Sequence, residues 1–196
     1  MKFQALLLAG LGILLSCSIL SAQNIPQQKG LTISAGVGVL PTFLGENAKT
    51  AVPPVSLRIG YNFSRRFNLS GYFGFTDVST KPKLFSDGLA SQNRNQFTVT
   101  GLRAEIRQEI SKKFNLYGGA MLGYSHSKLE ETDPFTGQAI VRDPEAPTPY
   151  DPNAPKGQVI YAGFVGAHYF FQKKLGVFAE LGYGISIVNL GLTIRL

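Results

Sequence analysis

The chain has 196 residues, of which 44% are hydrophobic, with 22 glycines, 11 prolines, one cysteine and no tryptophan. Only 16% of residues are charged, against a typical ~25%, which excludes a charged, disordered chain. The net charge of +7 arrives mainly as scattered pairs, not as one basic face or helix, so no nucleic-acid partner is expected.

Met1-Lys2, the apolar stretch from Phe3 to Leu20, and Leu20-Ser21-Ala22 before Gln23-Asn24 have the charged start, apolar middle and small-residue end of a secretory signal. This predicts a signal peptide over residues 1–22 and a single domain over residues 23–196. Ser16, Ser18, Ser21 and the Ala22-Gln23 junction speak against an uncleaved anchor. Leu14-Leu15-Ser16-Cys17 loosely resembles a lipidation site, but the apolar run continues through Ile19-Leu20. Beyond residue 22 there is no cysteine, so stability must come from packing and backbone pairing. No later stretch reaches the ~20 apolar residues of a transmembrane helix.

Residues 31–196 read as eight strands. Leu31, Ile33, Ala35, Val37 and Val39 alternate with Thr32, Ser34, Gly36 and Gly38 in a stretch from Leu31 to Phe43. A second strand sets Val55, Leu57, Ile59, Tyr61 and Phe63 opposite Ser56, Arg58, Gly60 and Asn62. A third sets Phe67, Leu69, Gly71, Phe73 and Phe75 opposite Asn68, Ser70, Tyr72 and Gly74. Further strands are predicted at Phe97–Ile110, Phe114–Ser127, Gln158–Phe171, Leu175–Tyr183 and Ile187–Leu196. The sixth strand, Gln158–Phe171, keeps no single phase, and its facing stays open.

Short connections alternate with long ones. Ser64-Arg65-Arg66, Ser111-Lys112-Lys113 and Gln172-Lys173-Lys174 are tight turns of one design. Leu44–Pro53, Asp77–Gln96 and Lys128–Gly157 are long, and only Gly184-Ile185-Ser186 is short on that side. Such segregation, with both chain ends beside the short turns, is what an even-stranded transmembrane barrel requires. Ser64-Arg65-Arg66-Phe67-Asn68-Leu69 and Ser111-Lys112-Lys113-Phe114-Asn115-Leu116 repeat one hairpin.

From about Leu31 to Leu196 the chain resembles the small outer-membrane β-barrel family, the eight-stranded kind typified by the OmpA and OmpX transmembrane domains. The closing hairpin, Val177-Phe178-Ala179-Glu180-Leu181-Gly182-Tyr183-Gly184 through Gly191-Leu192-Thr193-Ile194-Arg195-Leu196, is similar to the ending of many porin-family proteins. The resemblance implies an all-β, up-and-down antiparallel transmembrane barrel in the outer membrane of a Gram-negative bacterium. It also implies handling by the barrel-insertion machinery, which reads a terminal aromatic where this chain has Leu196. It covers no periplasmic domain beyond the last strand, so peptidoglycan binding is not carried over.

A closed barrel pairs every backbone group, as hydrocarbon demands. Phe63, Phe67, Phe114, Phe170 and Phe171 flank the basic turns and are expected at a membrane interface. The paired basic residues of those turns suit either anionic headgroups or plain solvation. In the fourth strand, Arg103, Glu105, Arg107 and Glu109 share one face and Leu102, Ala104, Ile106 and Ile110 the other. An Arg or Lys facing lipid at the midplane costs ~2–4 kcal/mol, so the charged face is predicted to line the lumen. The same phase turns Arg58, Glu180 and Arg195 inward. An eight-stranded barrel is just wide enough to be filled by side chains, so these seven residues are expected to pair as a polar plug, the alternative being a narrow pore.

No enzyme is expected, and neither cofactor nor metal. His126 and His168 are the only histidines and lie near no cysteine cluster. Ser125-His126-Ser127 invites comparison with a barrel lipid A deacylase, which uses His and Ser two residues apart on one face, but here Lys128 stands two beyond His126. No phosphate or dinucleotide loop is present. The loop 128–157, with six prolines and six carboxylates, is expected to be extended and is the candidate place for an extracellular ligand of unknown kind. The expected function is structural and surface-displaying, with outer-membrane lipid as the partner and a monomer as the state. A small-solute pore and a secreted lipocalin-like carrier are the alternatives.

Overall fold

The computed structural model describes residues 30–42, 48–84, 90–138, 140 and 157–196. The predicted signal peptide, residues 1–22, lies outside them, as does most of the long loop, at residues 139 and 141–156.

Nine strands form one antiparallel sheet: β1 (Gly30–Gly38), β2 (Ala48–Asn62), β3 (Phe67–Thr80), β4 (Lys83–Leu84), β5 (Ala90–Glu109), β6 (Phe114–Thr132), β7 (Gly157–Phe170), β8 (Leu175–Gly182) and β9 (Val188–Arg195). β4 is a two-residue stub paired only with Ser91 and Ala90 of β5. The other eight run in the order β3-β2-β1-β9-β8-β7-β6-β5, and β3 pairs with β5 to close the ring. The chain therefore forms an eight-stranded antiparallel up-and-down β-barrel. Its ends meet at the β1/β9 seam, where Ile33 faces Ile194 and Gly36 faces Gly191.

Closure leaves two surfaces with opposite chemistry. The outer wall carries Leu57, Ile59, Leu102, Ile106, Leu122, Val165, Val177 and Leu192, all exposed. The inner wall carries Thr32, Ser34, Ser56, Asn62, Asn68, Ser70 and Thr193, all buried. Leu102 is 63% and Ile106 67% exposed while their neighbour Arg103 is 2% exposed, which decides the facing of β5: apolar out, charged in. Burying such apolar area in hydrocarbon instead of leaving it in water is what makes the arrangement stable in a bilayer.

Three features differ from the sequence-based expectations. Four strands are longer on the side of the long loops, where β2 begins at Ala48, β3 runs to Thr80, β5 begins at Ala90 and β6 runs to Thr132, whereas β1, predicted to reach Phe43, ends at Gly38. Residues 48–53, 77–80, 90–96 and 128–132, predicted as loop, are thus strand, with Asp77 facing Gln96, Ser79 facing Arg94 and Arg94 facing Glu130. Past the lipid a strand no longer needs an apolar face, so the pairing outlasts the alternation that announced it. The second difference is in β2, where Pro53-Pro54 sits within register shifts between Thr50 and Val55; a proline cannot donate to the ladder and is tolerated at such irregularities. Third, Phe63, Phe67, Phe114 and Phe171 stand beside the basic turns as expected, but Phe170 points inward and is 4% exposed.

The facing of β7 resolves as well. Ile160, Phe164, His168 and Phe170 are buried inside, and Val159, Tyr161, Val165 and Tyr169 face outward. Both faces are rich in apolar side chains, so hydrophobicity alone carries no phase.

Candidate functional site: the charged lumen

The seven charged residues singled out from the sequence come from four strands: Arg58 from β2, Arg103, Glu105, Arg107 and Glu109 from β5, Glu180 from β8, and Arg195 from β9. Five of them, Arg58, Arg103, Glu105, Arg107 and Glu180, are buried inside the barrel. Glu109 is exposed at the turn end of β5 and Arg195 is half-buried nearby, so these two belong to the mouth.

Glu180 is the hub. Arg103 grips it with both terminal nitrogens, Nη1 donating to Oε1 at 3.0 Å and Nη2 to Oε2 at 2.7 Å. Arg58 Nη1 donates to Oε2 at 2.7 Å from the opposite side, and the Tyr117 hydroxyl donates to the same oxygen at 3.0 Å. Two-pronged guanidinium binding fixes the carboxylate in orientation as well as position.

A second group lies toward the turns. Arg107 Nε pairs with Glu105, and Arg107 Nη1 donates to Asn62 Oδ1 at 2.6 Å. That oxygen also accepts from Asn68 Nδ2 at 2.8 Å, while Asn62 Nδ2 donates to Thr32 Oγ1 at 2.9 Å. Ser34 and Thr193 are bonded across the seam at 2.9 Å. Nearer the mouth, Asn115, with its amide oriented to satisfy both neighbours, accepts from Arg195 Nη2 at 2.6 Å.

These five comprise three guanidiniums and two carboxylates, one positive charge in excess within the cluster; the buried carboxylates of Asp77 and Glu131 lie farther out, on β3 and β6. Aromatic faces meet that excess. The Arg103 guanidinium lies 3.6 Å from the Phe164 ring centre, Arg58 4.1 Å from Phe178, and Arg195 3.5 Å from Phe170. For the buried Arg103 and Arg58 such cation–π contacts are worth ~2 kcal/mol or more each, and less for Arg195 at the mouth. Phe178 is seated by the glycine pair across the seam. A Cβ at Gly36 would come within 2.7 Å of its Cζ, and one at Gly191 within 2.7 Å of its Cε1.

The lumen is not polar throughout, as the sequence-based expectation had it. Tyr72, Val99, Tyr117, Met121, Ile160, Phe164 and Ile185 form an apolar cluster that adjoins the ion pairs through Tyr117 and Phe164. Ile185 comes from the short connection after β8 and is fully buried, with its N–H donating to the Tyr72 hydroxyl at 3.4 Å. Next to it, the Ser186 hydroxyl donates to the carbonyls of Leu40 at 2.6 Å and Val188 at 2.8 Å. The connection thus folds into the barrel and caps it. An isoleucine between Gly184 and Ser186, in a connection this short, was the available signal in the sequence.

One cavity, of about 10 Å³, is lined by Thr32, Ser34, Arg58, Asn68, Glu105, Arg107 and His168, among others. That is room for about one water molecule. Farther out, Asp77 accepts from Arg94 through both carboxylate oxygens and from Gln96 at 3.2 Å. His126 is exposed and Ser125 is turned inward, its hydroxyl 3.3 Å from the Gln158 carbonyl, so the two occupy opposite faces of β6. Among the described residues no group of three His, Cys, Asp or Glu side chains is placed to hold a metal ion.

The model of the outer membrane protein beta-barrel domain matches residues 12–192, and the chain belongs to that family. It is an outer-membrane β-barrel. Among solved structures, the chain is similar to the attachment invasion locus protein Ail of Yersinia pestis in complex with the heparin analogue sucrose octasulfate, with 14% identity, 87% of this chain and 96% of that chain covered, and a TM-score of 0.46. It is similar to the N-terminal β-barrel domain of OprF from Pseudomonas aeruginosa, with 13% identity, coverage of 87% and 100%, and a TM-score of 0.47. OprG from Pseudomonas aeruginosa matches at 10% identity, with coverage of 86% and 93% and a TM-score of 0.45. No curated protein matches the sequence.

Proposed function

We propose that the protein is a closed, non-conducting barrel of the OmpA/OmpX kind, which stiffens the envelope and displays its longer loops at the cell surface. Residues 1–22 act as a signal peptide removed on export, the barrel-insertion machinery places the remainder in the membrane, and the protein works as a monomer. The charged lumen residues act as a plug. The observation that carries this reading is the Glu180 clamp, in which Arg58, Arg103 and Tyr117 converge on one carboxylate across the lumen. The Ile185 cap supports it from the other side.

Opening such a plug for solute leaves buried guanidiniums and carboxylates without partners, which is costly. The apolar outer wall favours a membrane protein over a secreted carrier, whose outside must be polar. Planar-bilayer recording tests the reading. A silent bilayer at high protein load is expected, whereas reproducible single-channel steps would replace the plug with a pore.

A further inference from the structure

Three hairpin turns lie at one end of the barrel, and each carries two cations: Arg65-Arg66 between β2 and β3, Lys112-Lys113 between β5 and β6, and Lys173-Lys174 between β7 and β8. Arg66, Lys112, Lys113, Lys173 and Lys174 are exposed. Two of the turns are built alike. The Ser64 hydroxyl accepts from the N–H groups of Arg66 and Phe67, at 3.3 and 3.0 Å, and that of Ser111 accepts from those of Lys113 and Phe114, at 3.4 and 3.1 Å. The last basic residue of each turn then accepts from the adjoining strand, Arg66 from Arg107 N–H, Lys113 from Phe170 N–H and Lys174 from Arg195 N–H. The backbone of all three turns is therefore tied to the barrel wall.

Round the ring, the turns fill three of the four gaps between strand pairs at this end, and the fourth is the β1/β9 seam with Arg195 near it. Among the described residues at this end, Glu109 is the one exposed acidic side chain. Outward-facing Phe63, Phe67, Tyr169 and Phe171 sit directly beside the turns. Aromatic side chains of this kind occupy the interface level of a bilayer, so the cations next to them reach the headgroups. A protein partner docks on one side of a barrel and is matched by a one-sided patch. Charge spread round the circumference matches a leaflet that surrounds it.

Short turns of an outer-membrane barrel face the periplasm, and we infer that these basic turns form an interaction surface for anionic phospholipid headgroups of the periplasmic leaflet, recruiting an annulus of acidic lipid around the barrel. The inference rests on the membrane-barrel reading above and adds the headgroup charge and the leaflet.

The full chain is to be reconstituted in vesicles of phosphatidylcholine containing trace spin-labelled phosphatidylglycerol or spin-labelled phosphatidylcholine, and lipid association read by electron spin resonance. The expected result is an enrichment of the anionic label over the zwitterionic one of roughly threefold, falling toward unity in 0.5 M salt. The variant R65Q/R66Q/K112Q/K113Q/K173Q/K174Q is expected to lose the preference. K112Q/K113Q alone, which alters a single turn, is expected to reduce it. Equal association of both labels with the wild-type chain, or an enrichment that survives the substitutions, overturns the proposal. Folding is followed separately by heat-dependent gel mobility. A chain that fails to insert into pure phosphatidylcholine vesicles counts against the barrel reading itself, whereas a chain that inserts without preference counts only against the headgroup site.

Discussion

Glu180 concentrates two guanidiniums and a phenol on one carboxylate, and its removal is the most informative change at the scale of a residue. Glu180→Gln keeps the shape but leaves Arg58 and Arg103 buried without a countercharge. A loss of about 3–5 kcal/mol is expected from urea unfolding of the protein in lipid vesicles. Glu109→Gln, at the exposed mouth, is expected to change stability by less than about 0.5 kcal/mol. Equal effects of the two would mean that the lumen is wet and the clamp idle. The inward phase of these charged residues is legible in the sequence, because an alternating strand with carboxylates and guanidiniums on one side has only one face it can turn to lipid. The partners are not. Nothing local marks Tyr117, Asn62 or Phe178 as the groups that complete the network, since each is set in place by register with strands far away in the chain. Gly36 and Gly191 become meaningful only once the seam brings them beneath one aromatic ring.

Among the elements, the connection after β8 and the hairpin tip after β6 behave differently from simple loops. Ile185 fills the outer end of the lumen, and Ile185→Ala is expected to cost about 2–5 kcal/mol by leaving a cavity there. Thermal unfolding of the variant beside wild type measures it, and an unchanged midpoint would show that the cap contributes nothing. At the tip, Asp133 Oδ1 accepts from the N–H groups of Phe135 at 2.7 Å and Thr136 at 2.9 Å, and Gly137, with φ of 70°, closes the turn in a backbone conformation suited to glycine. The Thr136 and Phe135 N–H groups hold the Asp133 carboxyl below its ordinary range. A depressed pKa means that the turn is at full strength above the usual carboxylate range and loosens only as pH falls through the lowered value. Amide exchange at Phe135 and Thr136, corrected for its intrinsic pH dependence, is expected to stay protected through the usual carboxylate range. Loss of protection within that range would contradict the assignment. The strand cores were legible from period two. Their outer extensions were not, because beyond the bilayer neither face needs to be apolar, and β7 was ambiguous because both of its faces are.

At the scale of the whole molecule, an apolar wall, a filled interior and a ring of basic turns make one membrane-embedded body. Each part depends on which face of the sheet meets hydrocarbon. Single spin labels placed along β5 in vesicles test that most directly, through their accessibility to oxygen, which partitions into lipid, and to a water-soluble nickel chelate. Labels at Leu102, Ala104 and Ile106 are expected to be readily relaxed by oxygen, and those at Arg103 and Glu105 to be shielded from both reagents. High oxygen accessibility at Arg103 and Glu105, with Leu102 and Ile106 protected, would contradict an apolar wall facing lipid around a charged lumen.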